Sequence, residues 1–63
     1  MIKLSRINGE EVTVNAELIE TVEASHDTIV SLTTGKRLLV VETVDQVVEK
    51  VVAYRRSIAT PLL

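Results

Sequence analysis

Cysteine is absent from this 63-residue sequence, as are tryptophan and phenylalanine, while histidine, proline, methionine and tyrosine occur once each. Without cysteine there is no disulfide and no thiolate metal site, and His26 alone does not hold a metal. Tyr54 is the sole aromatic, so the rings that usually fill a core or stack on bases are missing. No apolar run approaches the roughly 20 residues of a membrane helix, and the opening MIKLSR is too short and too charged for a signal peptide. The expectation is a cytoplasmic chain with no direct membrane insertion, recruited to a membrane only through a partner. The net charge of −2 provides no field to draw the chain to nucleic acid or anionic lipid. One histidine, no cysteine, no phosphate loop and no acids paired across a recognisable cleft leave no nucleophile or metal from which to argue an enzyme or a cofactor.

What the sequence does have is Val, Ile and Leu in quantity, a composition that favours sheets. A chain this short buries only about 60% of its unfolded surface, so its own core is marginal and needs reinforcement. With disulfides and metals excluded, self-association is the ordinary remaining route.

Two glycines mark two turns. In RINGEE, residues 6–11, a two-residue Asn8-Gly9 turn would mix apolar and polar residues on each face. A three-residue loop, Ile7 to Gly9, with Gly9 as the left-handed residue, instead sets Ile2 against Val14, Leu4 against Val12, and Arg6 against Glu10 as a rim ion pair. The same logic applied to TIVSLTTGKRLLVVE, residues 28–42, gives a Thr33-Thr34-Gly35 loop and sets Leu32 against Lys36, Val30 against Leu38 and Thr28 against Val40. The opposite face of this second hairpin carries Ile29, Leu39 and Val41 beside Ser31 and Arg37. Apolar residues on both faces imply that something covers each.

Residues 15–28, NAELIETVEASHDT, fit either a strand or a short helix, and Thr21, Val22 and the turn chemistry of Ser25-His26-Asp27 favour the strand. Glu17, Glu20 and Glu23 then form a solvated acidic edge that discourages aggregation. From residue 43 the period changes to that of a helix, with Val44, Val47, Val48, Val51, Tyr54 and Ile58 on one stripe. Thr43 and Gln46 make a capping box, Asp45 suits the N-terminal end, and Arg55 and Arg56 suit the C-terminal end. Five valines in nine positions lower helix propensity, so the helix must be held by packing. The expected fold is α+β, an antiparallel meander of about five strands with one C-terminal helix. Residues 1–57 form the domain and 58–63 a short tail. The expected core is Ile2, Leu4, Val12, Val14, Val22, Val30, Leu38 and Val40 with the helical Val44, Val47, Val48, Val51 and Tyr54.

The stretches MIKLSRINGEEVTVNAELIETVE and HDTIVSLTTGKRLLVVETVDQVVEKVVAYRR, in this order and without gaps, resemble the small flagellar family called FlbD or SwrD. The family commonly has proline at the position of His26. The resemblance implies a flagellar accessory protein that supports swarming motility and motor power by binding stator or other motor components, with no catalytic residue to carry over. A shorter similarity, MIKLSRINGE, is to the start of the RNA-binding regulator CsrA, in which the arginine matching Arg6 contacts RNA. The glycine-isoleucine-alanine-proline stretch of that family is replaced here by LLVVETVDQ, so the second half of an RNA surface is missing, and a small CsrA-like RNA-binding regulator is the alternative expectation, behind the flagellar one. Arg6, Lys36 and Arg37 are the candidate contacts to an acidic protein partner. Ile29, Leu39, Val41 and Val52, with Leu62 and Leu63, are the candidate subunit contacts of a homo-oligomer.

Overall fold

The computed structural model describes residues 1–59. Strands β1 (Ile2–Ser5) and β2 (Glu11–Val14) form the first hairpin. A 3₁₀ turn at Ala16–Leu18 leads into β3 (Ile19–Ala24), which pairs with β4 (Thr28–Leu32), itself paired with β5 (Arg37–Val40). A helix, α1, spans Val44–Ala59 and so continues past Ser57.

Both hairpins close by the same device. The Arg6 amide donates to the Glu10 carbonyl (2.8 Å) and the Gly9 amide to the Arg6 carbonyl (2.9 Å), and Leu32, Gly35 and Lys36 repeat the arrangement at 2.8 and 2.9 Å. Gly9 and Gly35 both sit at φ +93°, a conformation that side chains with a Cβ rarely adopt. The resulting registers are Ile2↔Val14 and Leu4↔Val12 in the first hairpin, and Thr28↔Val40 and Val30↔Leu38 in the second, as the apolar pattern requires. The expected Arg6–Glu10 ion pair does not form. Asn8 takes the Glu10 carboxylate through its side-chain amide (2.8 Å), and its own carbonyl accepts from the Glu10 amide (3.0 Å).

The α+β class, the five antiparallel strands and the C-terminal helix all hold. The strands, however, divide into sheets of two and three. Asn15 caps the 3₁₀ turn by accepting from the Glu17 amide, and the turn steers the chain away from β2. β2 and β3 therefore do not pair. The sheets meet through the far ends of β1 and β5, where Arg6 bridges Val40, the Val41 amide donates to the Ser5 carbonyl (2.8 Å) and the Ile7 amide to the Leu39 carbonyl (3.2 Å). The stretch that fitted strand or helix uses both, a single 3₁₀ turn followed by six residues of strand.

The core consists of Ile2, Leu4, Val14, Ala16, Val30, Leu38, Val40 and Val47, and Leu4, Val30, Val40 and Val47 are its fully enclosed large side chains. Val12 and Val22 are only half-buried, because β2 and β3 each have a neighbour on one side. The capping box forms in both directions, Thr43 amide to Gln46 Oε1 at 2.9 Å and Gln46 amide to Thr43 Oγ1 at 3.1 Å. Val51 and Tyr54 follow Val47 on one stripe, while Val48 is turned about 100° from Val47. Val48 is therefore 47% exposed, where the sequence placed it in the core. Ile58 keeps the stripe's direction but is exposed. The helix is about 24 Å long, against about 13 Å for the four-residue strands and about 20 Å for β3, so its last turn outruns the sheet.

Candidate interaction surface

Glu42 organises the junction between the two sheets. It lies between β5 and α1, and its carboxylate accepts the Ser5 amide at both oxygens, at 2.9 and 3.0 Å. Partial burial pushes its carboxyl upward. The bonds from the Ser5 amide, its own amide and the Ser5 hydroxyl, with the Lys50 ammonium nearby, outweigh that effect and hold it below the usual carboxylate value. Beside it runs an open groove lined by Val41, Glu42, Gln46, Glu49, Lys50 and Ala53. Charged residues of both signs line this groove, so it does not select one sign of ligand. Nothing in the sequence pattern singled out Glu42, since it follows an apolar run and its partner is 37 positions away.

The three basic candidates do not converge. Arg6 is half-buried where it bridges Val40, whereas Lys36 and Arg37 are exposed at the opposite end of β5, about 10 Å along the strand. Arg37 lines a shallow hollow with Glu20, Thr21, Glu23 and Ser31. His26 is exposed in the β3–β4 turn. Among the described residues no three His, Asp or Glu side chains gather as metal ligands, and no helix is long and apolar enough to cross a membrane.

The apolar candidates divide between two surfaces. Strand alternation turns Leu38 and Val40 into the core and Leu39 and Val41 away from it, and Ile29 pairs with Leu39 on that outward side. Leu39 is 39% and Val41 65% exposed, and Ile29 is half-buried. Ile7 lies against Leu39 through its amide and is exposed too; its loop position concealed it in the sequence. Val52 belongs elsewhere. It sits on α1, exposed on the same flank as Val48, and the Arg55–Glu17 ion pair (3.8 Å) ties that flank to the 3₁₀ turn, where Leu18 is also exposed. Leu62 and Leu63 lie outside the described residues.

Both surfaces leave large apolar side chains exposed among the described residues. The sequence model of a family described as FlbD, flagellar and swarming motility proteins, matches residues 1–59. No curated protein and no solved structure matches the chain.

Proposed function

The chain belongs to the FlbD family of flagellar and swarming motility proteins, and from that premise we propose that it is an accessory of the flagellar motor that acts by binding a stator or other motor component, without catalysis. The observation that carries this reading is the extent of the match, residues 1–59, which takes in every strand and the helix. Two features support a binding role. The Leu18, Val48 and Val52 flank offers apolar contact, and Lys36 at the β4–β5 turn offers an exposed cation to an acidic partner. The working place would be the cytoplasmic side of the membrane, reached through that partner.

The test is a gene deletion combined with a crosslinking pull-down. Deletion is expected to weaken swarming while filaments still assemble, and the tagged chain is expected to capture motor proteins. Lys36→Glu is expected to reduce that capture without changing the melting temperature. Normal swarming in the deletion strain, or RNA as the sole captured partner, would overturn the proposal.

A further inference from the structure

The outward face of β4 and β5 has a charge layout that specifies its occupant. Its centre is Leu39, with Ile29 across the ladder and Val41 two residues further on, just past the end of β5. Arg37 lies two residues before Leu39 on the same strand, about 7 Å away, and Glu23 lies in the row of Leu39 two strands over, about 10 Å away, because Glu23 pairs Ile29 and Ile29 pairs Leu39. On the other side Ser5 sits beside Val41 and pairs Glu11, while Lys3 continues β1 beyond the end of β5. All four charged residues are exposed. The basic pair thus lies at the two ends of the patch along the strands, and the acidic pair lies at its two sides across them.

We propose that this face is a homodimer interface in which two copies stack with their strands crossed at nearly a right angle. A two-fold axis along the strands would set Arg37 over the partner's Arg37 and Glu23 toward Glu11. An axis across the strands would set Glu23 over the partner's Glu23 and Arg37 toward Lys3. Both orientations bring like charges together. Only an axis on the diagonal carries the ends of one patch onto the sides of the other, and the similar reach of Arg37 and Glu23 from Leu39 selects the diagonal that joins them. Arg37 then meets the partner's Glu23, Lys3 meets the partner's Glu11, and symmetry repeats each pair. Orthogonal packing of two sheets is an established way to bury facing aliphatic rows, and here those rows are Ile29, Leu39 and Val41 of each copy. The second copy is the occupant because the patch is complementary to itself in charge.

Sedimentation equilibrium of the whole chain across the micromolar range tests the assembly. A species of twice the 6.9 kDa chain mass is expected. Leu39→Glu is expected to give a monomer with an unchanged circular dichroism melt, and Val41→Glu, at a more exposed position, does the same if Leu39→Glu disturbs folding. Arg37→Glu and Glu23→Arg are each expected to weaken the dimer by about 5- to 10-fold through two symmetric rim pairs, and the combined swap is expected to restore it to within about 2-fold. A wild-type monomer throughout, or a dimer that survives both Leu39→Glu and Val41→Glu, would overturn the interface. A double swap no tighter than either single change would overturn the crossed arrangement.

Discussion

Replacing Glu42 by alanine removes a side chain that fastens the end of β1 to the segment entering the helix. The Ser5 amide loses both carboxylate oxygens, which lie at 2.9 and 3.0 Å, and the junction keeps the backbone bonds from Val41 to Ser5 and from Ile7 to Leu39. A hydrogen bond to a charged group contributes about 1.5 to 3 kcal/mol. Because the site is only partly buried and the released amide regains water, the expected loss is about 1 to 1.5 kcal/mol. For a domain of this size that lowers the melting temperature by about 5 to 10 °C. Glu42→Gln keeps an acceptor without the charge and should fall between the two. The effect carries a pH signature. The folded carboxyl titrates below its ordinary value of 4.5, so its stabilisation is complete above that value and is lost as pH falls through the lower folded value. Thermal melts of wild type and Glu42→Ala should therefore differ by a constant amount from about pH 8 to pH 5, and the gap should narrow in more acid solution toward that of the uncharged Glu42→Gln. Equal melting temperatures at neutral pH, or a gap that does not narrow by about pH 2, would refute the reasoning.

The two adjacent valines of the helix separate buried from exposed positions: Val47→Ala should lower stability by about 2 kcal/mol in urea titrations, and Val48→Ala by less than about 0.5 kcal/mol. At Gly35 an added Cβ meets no atom within 4 Å, so the loss on Gly35→Ala, about 1 to 2 kcal/mol, comes from backbone conformation, and Gly35→Asn should recover part of it in the same assay. Thr43→Ala breaks the capping box and should cost about 1 kcal/mol, with a matching loss of hydrogen-exchange protection in the first turn of α1.

Where the interactions were local, they were legible in the residues. The apolar alternation on either side of Gly9 and Gly35 admitted one register per hairpin, since a slip by one residue would have turned Leu4 or Val30 to solvent, and the structure has those registers. Thr43 and Gln46 marked the helix start in the same way, because a capping box is complete within four residues. The three-dimensional arrangement decided what depends on distance. The strands form two sheets that meet at Arg6 and Val40 because the 3₁₀ turn after Asn15 directs β3 away from β2, and no pattern along the chain encodes that bridge. Glu42 acquires its role from Ser5, 37 residues away. Val48 fits the helical stripe as well as its neighbours do, yet it is exposed because a sheet this narrow covers only the arc centred on Val47. Ile7, read as a turn residue, joins the outward apolar face because the junction sets it beside Leu39. Periodicity sets which way a side chain points from its own element, and only tertiary packing determines whether another element is there to meet it.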